Sequence, residues 1–353
     1  MKKIEINSNK NSYSIFIGKN ILKYVGNFIK KKLKYCCKIL VVTDCLVYKT
    51  YGETIKKSLK EAGYVIYFFV LKNSEKSKNF VNLLKIYHFS FEIGLTKKDV
   101  VLAFGGGMVC DVAGFFASTY LRGLKLINVP TSLLCQVDAA VGGKNAVNFR
   151  YGKNIIGTIF PPSLVICDVC LLKSLNRRFF VSGMAEVIKY AAVFSKNFFE
   201  FLLDSDVYEN VEEIVFNCIK IKKFVVEKDE QDKNFRLSLN FGHTIGHAIE
   251  KISGYFLTHG EAVSIGMCYI TQKSLKKGIT NFDDFIRLKT FLRRFSLPTT
   301  TKYSNEEILR SCMFDKKRFG DIFKICVILE IGCFKLISLT KEEFKEFLRW
   351  RLK

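Results

Sequence analysis

Six short apolar runs, rich in β-branched and aromatic residues, recur through the first half of the chain: Ile15–Ile17, Ile39–Val42, Tyr64–Val70, Val100–Phe104, Leu126–Val129 and Leu164–Ile166. Runs of this kind read as strands. Amphipathic or polar stretches separate several of them, and such alternation builds a mostly parallel sheet with helices on its faces. Beyond about Arg177 the character changes. Val211–Glu227, Arg236–Ile252 and Glu261–Lys277 carry long helical patterns, and no proline occurs between Pro162 and Pro298, which permits uninterrupted helices. The expectation is an α/β domain over residues 1–175 and an all-α domain over 176–353, with the boundary near residues 172–180.

Of the 353 residues, 49% are hydrophobic, enough for a substantial core. No stretch approaches the length of uninterrupted apolar chain that a spanning helix needs. The opening Met1-Lys-Lys-Ile-Glu-Ile6 alternates like a strand and lacks the apolar run of a secretory leader. The chain is therefore expected to be cytoplasmic, with no membrane partner. Its 56 basic and 33 acidic residues give a formal charge of +23. The lysines are scattered, and the abundance of Lys, Asn, Ile and Phe beside few Pro and Trp reads as compositional bias, so no nucleic-acid partner is expected. A basic surface still favours the approach of an anionic substrate. The 12 cysteines include the adjacent Cys36 and Cys37 and a lone Cys167-Asp-Val-Cys170, with most others inside apolar runs. That spacing fits reduced thiols in a cytosol better than a disulfide framework or a zinc knuckle.

Two segments suit an anionic, phosphate-bearing ligand. Val100-Val-Leu-Ala-Phe-Gly-Gly-Gly-Met-Val-Cys-Asp-Val-Ala-Gly114 runs from an apolar strand through three glycines into a helix. Glycines let a ligand approach the backbone, and a helix N-terminus offers free N–H groups to a pyrophosphate. It is not the strict G-x-G-x-x-G fingerprint. Asp44, at the end of the Ile39–Thr43 strand, suits either a ribose hydroxyl or a helix cap. Further on, two Lys-Asn pairs, Lys144-Asn145 and Lys153-Asn154, each follow glycine and offer a point charge together with a donor and acceptor.

Three of the four histidines, His243, His247 and His259, lie within seventeen positions. His243 and His247 stand one turn apart on an expected helix, and His259 follows a Gly-containing turn. A catalytic zinc site takes three ligands from His and carboxylates and keeps one position open. Glu186, in Ser182-Gly-Met-Ala-Glu-Val-Ile-Lys189, is a candidate carboxylate, with Lys189 on the same side of its helix. Spacing alone leaves open which two histidines would bind.

Taken together these segments resemble the 3-dehydroquinate synthase family, over about residues 40–335. The matching blocks are Gly105-Gly-Gly107 with Asp111, Tyr120-Leu-Arg-Gly123, Pro130-Thr-Ser-Leu-Leu134, Asp138 through Lys144-Asn145, Gly152-Lys-Asn154, Gly183-Met-Ala-Glu-Val-Ile-Lys-Tyr190, Leu239 through Glu250, His259 through Met267, and Asp315-Lys-Lys317. The resemblance implies a homodimer with an N-terminal Rossmann-like domain, a helical C-terminal domain and a site between them that uses NAD and Zn²⁺ or Co²⁺. It implies metal ligands Glu186, His243 and His259, leaving His247 for proton transfer or phosphate contact. NAD would lie along Asp44, Glu75, Lys78, Gly106, Gly107, Asp111, Thr131, Ser132, Lys144, Lys153 and Leu171, Leu172, Lys173 and Ser174. The sugar-phosphate substrate would meet Asp138, Lys144, Asn154, Lys189, Lys222, Arg236, Asn240 and Lys317, and Arg122 would reach the phosphate in the neighbouring subunit.

In this family 3-deoxy-D-arabino-heptulosonate 7-phosphate becomes 3-dehydroquinate and phosphate by transient oxidation at C5, phosphate elimination, re-reduction, ring opening and aldol closure. His247 is the preferred acid/base. The sequence departs from the family pattern at Ser74, Cys110, Asn176, Phe179 and Asp232. Asp232 stands where Glu is usual and is one methylene short, so a proton-transfer role for it needs a bridging water. A related sugar-phosphate cyclase of secondary metabolism would share the metal and NAD residues, and the carboxylate-binding set Lys144, Lys222 and Arg236 favours the dehydroquinate reaction.

Overall fold

The computed structural model describes residues 1–7, 12–33, 37–150, 152–230, 234–316 and 322–349. The chain divides into two compact units. One comprises Met1–Leu175 with Val211–Glu227, the other Asn176–Asn210 with Lys228–Lys353.

In the first unit the opening segment and the six apolar runs form one seven-stranded sheet: β1 (Lys2–Ile6), β2 (Tyr13–Gly18), β3 (Lys38–Asp44), β4 (Val65–Leu71), β5 (Val100–Gly105), β6 (Lys125–Pro130) and, after a hairpin of β7 (Lys144–Phe149) and β8 (Gly152–Ile159), β9 (Leu164–Asp168). The order is β1-β2-β9-β6-β5-β3-β4. Every pairing is parallel except β1 with β2. Helices α1 (Val25–Lys32), α2 (Cys45–Glu61), α3 (Phe80–Glu92) and α4 (Gly107–Thr119) connect or follow the strands. Strand β5 is fully buried from Val100 to Phe104, as a central parallel strand covered on both faces must be. Ile39, Val41, Leu102, Phe104, Ile127 and Ile166 share a core with Val25 and Ile29 of α1 and Ile55 and Leu59 of α2. The chain runs outward from β3 to β4, then returns to lay β5 on the other side of β3. This reversal puts the loops after β3 and β5 on either side of a crevice at the carboxyl end of the sheet, the place where open α/β sheets take ligands.

Helix α7 (Val211–Lys228) groups with this first unit over Val211–Glu227, although its sequence neighbours belong to the second. Ion pairs Lys2–Glu213 and Lys222–Asp138 tie it there, together with a 2.6 Å bond from the Asn7 N–H to Glu227 Oε1.

The second unit is helical: α5 (Arg177–Phe194), α6 (Lys196–Asp204), α8 (His243–Ile252), α9 (His259–Lys276), α10 (Phe282–Arg294), α11 (Asn305–Lys316) and α12 (Lys341–Arg349). The expectation that it is all α is corrected at one place. Strands β10 (Ile322–Glu330) and β11 (Cys333–Thr340) form an antiparallel hairpin. The β-rich run Ile322-Phe-Lys-Ile-Cys-Val-Ile-Leu-Glu330 turns through Ile331-Gly332, where Gly332 holds a φ of +91°. The expected helix over Arg236–Ile252 is also two pieces, a 3-10 helix at Phe235–Asn240 and then α8, because Gly242 between them is left-handed (φ +78°). Among the described residues no helix is long and apolar enough to cross a membrane.

Candidate functional site

The cofactor candidates of the first unit gather at the carboxyl ends of its parallel strands. Asp44 closes β3, Glu75 and Lys78 follow β4, Gly106 and Gly107 follow β5, Thr131 and Ser132 follow β6, and Leu171–Ser174 follow β9. The three glycines differ in their reasons. A Cβ on Gly105 would lie 2.6 Å from Val109, so packing inside the protein demands glycine there. A Cβ on Gly106 would meet only Ser132 Oγ, and one on Gly107 only Ala139 Cβ, each at an ordinary 3.6 Å. The protein itself therefore tolerates side chains at both positions. A group seated close against the backbone at the start of α4, such as a pyrophosphate, would not. Asp44 does cap α2, since its Oδ1 accepts from Leu46 N at 3.0 Å and Val47 N at 3.1 Å. Both bonds fall on one oxygen, so capping does not consume the carboxylate. Burial raises its pKa, against those same N–H groups, which lower it. The side chains of Leu171 and Leu172 are buried, so a ligand at this turn would meet their backbone. Ser174 Oγ accepts from Tyr51 OH at 2.8 Å, while Lys173 is exposed.

Lys78 is nearly buried and joins segments far apart in sequence. Its ammonium bonds both the Asp111 carboxylate on α4 and Oδ1 of Asn154 on β8. Desolvation pushes Asp111 up to about 6, with Lys78 pulling against it. Asn148 on β7 fastens the turn before Lys78 by donating to Glu75 Oε1 at 2.9 Å. Asn154 is left-handed (φ +56°) in an otherwise extended strand, a conformation asparagine tolerates better than most residues. Lys144 begins β7 exposed, and Lys153 is half-buried beside Asn154. Asp138 sits in a π-helical turn, Cys135–Ala139, and pairs with Lys222 of α7. Such turns recur at functional sites. Leu121 and Arg122 hold consecutive left-handed conformations (φ +49° and +65°), and both side chains are exposed. Non-glycine residues held there cost about 1–3 kcal/mol each.

The second unit builds the metal candidate where three helices approach backbone to backbone. Gly260 of α9 lies so near α5 that an added Cβ would be 2.0 Å from Ser182 O, and Gly266 of α9 so near the start of α8 that a Cβ would be 2.0 Å from Gly242 O. Glu186 on α5, His243 at the first position of α8 and His259 at the first position of α9 consequently converge. Nε2 of His243 lies 3.5 Å, and Nε2 of His259 3.3 Å, from Oε1 of Glu186. Ligand atoms of all three lie within 4.8 Å of one another. A tetrahedral ion with bonds of about 2.0–2.1 Å has edges of about 3.4 Å, so the set fits zinc or a similar ion. Nδ1 of His243 faces Phe241 O at 3.2 Å, which assigns the proton to Nδ1 and the lone pair to Nε2. Burial drives the pKa of His243 well below its usual value and keeps the ring neutral, as a ligand must be. Burial acts the same way on His259, but the carboxylates of Glu186 and Glu250 outweigh it and hold that ring at about 9. Lys189 is buried and paired with Glu186 one turn earlier.

Of the three histidines, His247 is the exposed one. Its ring centroid is 5.3 Å from that of His243 and 5.7 Å from that of His259. Arg236 is buried and Asn240 exposed on the 3-10 helix leading to α8. Asp232 and Lys317 lie outside the described residues. Two features were not anticipated from the sequence. Arg178 of α5 grips Glu261 of α9 with two bonds, 2.7 Å and 2.8 Å, and the Phe256 carbonyl at 2.9 Å. Glu261 also completes a capping box with Thr258, so the turn that presents His259 is held from two sides. The Thr258-x-x-Glu261 spacing was a readable signal for the cap. The second feature is Glu250, whose Oε2 lies 3.8 Å from Nδ1 of His259.

The same chain matches two family models, 3-dehydroquinate synthase N-terminal over residues 68–182 and 3-dehydroquinate synthase C-terminal over residues 183–318. It is 42% identical to the 3-dehydroquinate synthase of Clostridium acetobutylicum, covering 98% of this chain and 99% of that one. It is 43% identical to that of Clostridium botulinum, covering 98% and 100%. Solved structures with a similar fold include a 2-deoxy-scyllo-inosose synthase complexed with carbaglucose-6-phosphate, NAD⁺ and Co²⁺, at a TM-score of 0.89 and 24% identity over 99% of both chains. Another is the 2-epi-5-epi-valiolone synthase of Streptomyces hygroscopicus with NAD⁺ and Zn²⁺, at 0.87 and 24% over 97% of both. With relatives of this identity along nearly its whole length and a family match spanning both halves, the chain belongs to the 3-dehydroquinate synthase family.

Proposed function

We propose that this chain is an NAD- and metal-dependent, phosphate-eliminating lyase that closes 3-deoxy-D-arabino-heptulosonate 7-phosphate to 3-dehydroquinate in the cytoplasm. The convergence of Nε2 of His243 and His259 on one oxygen of Glu186 carries the reading of metal dependence. NAD would supply the hydride chemistry, and a divalent ion held by Glu186, His243 and His259 would supply Lewis-acid polarisation of the substrate hydroxyl. The residues of the chain bind, orient and move protons. The open backbone at Gly106 and Gly107 accepts the pyrophosphate, Asp44 holds a ribose, and Lys78 with Asp111 fixes the neighbouring loops. Lys144, Lys222 and Arg236 neutralise the substrate carboxylate, with Asp138, Asn154, Lys189 and Asn240 orienting its hydroxyls. His247, exposed beside the two ligand histidines, transfers the proton.

The reading includes a homodimer in which Arg122 reaches the phosphate bound by the other subunit. The strained, exposed presentation of Leu121 and Arg122 supports it. The test is turnover by the full chain supplied with NAD⁺ and Zn²⁺ or Co²⁺. Phosphate and 3-dehydroquinate should form together, and both should stop when either cofactor is withheld. No cyclisation of the heptulosonate phosphate, or turnover of a hexose phosphate instead, would replace this reading with that of another sugar-phosphate cyclase.

A further inference from the structure

Resting on the metal reading above, we propose that Glu250 is a positioning residue of the metal centre: its carboxylate faces the Nδ1–H of His259 as acceptor, holds the proton on that nitrogen, fixes the tautomer of the ring and turns Nε2 toward the ion. His259 stands between two carboxylates. Nε2 faces Oε1 of Glu186 at 3.3 Å, and Nδ1 faces Oε2 of Glu250 at 3.8 Å. A neutral imidazole has one N–H and one lone pair, so a ring that offers Nε2 to a cation carries its proton on Nδ1. Ligand histidines almost always hand that second N–H to a carboxylate or a backbone carbonyl. His243 uses the carbonyl of Phe241. Glu250 stands in the corresponding place for His259.

The placement of Glu250 follows from α8. It lies two turns after His243 and three residues after His247, on the face that carries both rings. It is 5% exposed, so it is not a surface charge that happens to pass nearby. At 3.8 Å the contact is electrostatic rather than a hydrogen bond. His247, Glu250 and His259 also have the spacing of a ligand set in their own right. An ion there beside one at Glu186 would need His259 to give both its nitrogens to metal and lose its last proton. The single-ion arrangement, with Glu250 behind His259, avoids that.

The test compares Zn²⁺ dissociation constants of the full chain, Glu250→Ala and Glu250→Gln by competition with a chromophoric chelator, with circular dichroism as the check on folding. Glu250→Ala should weaken binding about 10–100-fold, and Glu250→Gln, which keeps an acceptor oxygen, by a smaller factor that still exceeds about twofold. A folded alanine variant within about twofold of the parent would overturn the proposal. If the alanine variant does not fold, a glutamine variant within about twofold would do the same. The parent should bind one ion per chain. Two would make Glu250 a ligand and equally overturn its positioning role. A parent that binds no Zn²⁺ is a different failure, that of the metal reading itself.

Discussion

Gly260→Ala is the sharpest probe of how the metal site is built. The new methyl would lie 2.0 Å from Ser182 O, 2.6 Å from its carbonyl carbon and 2.7 Å from its Cα. All three atoms are backbone of α5, four residues before Glu186, so no side chain can swing aside. The Gly260 N–H also bonds Ser182 Oγ at 3.0 Å, which fastens the same contact. Relief requires α9 to move off α5 by about 1 Å at least, and His259 is the adjacent residue. A shift of that size along the line joining them lengthens the Nε2–Oε1 distance from 3.3 Å to about 4.3 Å. Two bonds of about 2.0–2.1 Å span at most about 4.2 Å even in a straight line. An ion would have to give up either Glu186 or His259. Loss of one of three ligands should weaken Zn²⁺ binding at least about 100-fold, or about 2.7 kcal/mol, while overpacking costs about 1–3 kcal/mol of stability. Chelator competition reads the first, and melting of the metal-free protein the second. The control is Leu102→Ala, a fully buried core position of the first unit that should cost about 2–5 kcal/mol yet leave zinc affinity unchanged. A folded Gly260→Ala protein with parental zinc affinity would refute the helix-contact argument.

Three further outcomes are expected. Glu186→Gln leaves Lys189, 1% exposed, without its carboxylate. Urea unfolding of the metal-free variant should show a loss of about 3–5 kcal/mol, as when one partner of a buried pair is removed. Zinc uptake should be proton-linked. His259, held at about 9 by the neighbouring carboxylates, carries a proton at neutral pH, whereas burial keeps His243 neutral. Binding at about pH 7.5 should release about one proton per ion, the affinity should rise as pH approaches the His259 value, and the release should vanish above it. Indicator-dye titration in weak buffer checks the sign. Lys78→Met removes the cation shared by Asp111 and Asn154. NADH titration followed by fluorescence should show binding weakened about tenfold, or about 1.4 kcal/mol.

What the sequence discloses follows from the range of each interaction. Most of the strand runs are readable because a parallel strand covered on both faces must be apolar throughout, as Val100–Phe104 is. The edge strand β4 is only partly buried and reads as a strand from its β-branched and aromatic residues. The histidine cluster is readable because two of its members share one helix. The left-handed break at Gly242 is not, since a helical pattern continues across it and only the packing of Met267 and Val263 against that glycine accounts for it. Arg178 and Glu261 are 83 residues apart, and each alone looks like an ordinary surface charge. Lys78, Asp111 and Asn154 come from the segment after β4, helix α4 and the β7–β8 hairpin, so their meeting is a property of the tertiary fold. Glu250 was visible within its motif, but its purpose depends on where His259 points, which no local pattern encodes.

Helix α7 makes the two units interdependent in synthesis. The first unit needs residues up to Glu227, including the Lys222 partner of Asp138, yet residues 176–210 of the second emerge earlier. As the nascent chain leaves the ribosome, α5 and α6 must therefore wait, apolar faces uncovered, until the rest of their own unit is made. No single cut separates the halves either. A fragment stopping at Leu175 would lack a helix of its own unit, and one starting at Asn176 would carry a helix that groups with the other. Exchange of halves with a relative would succeed only if Val211–Glu227 travelled with the N-terminal part.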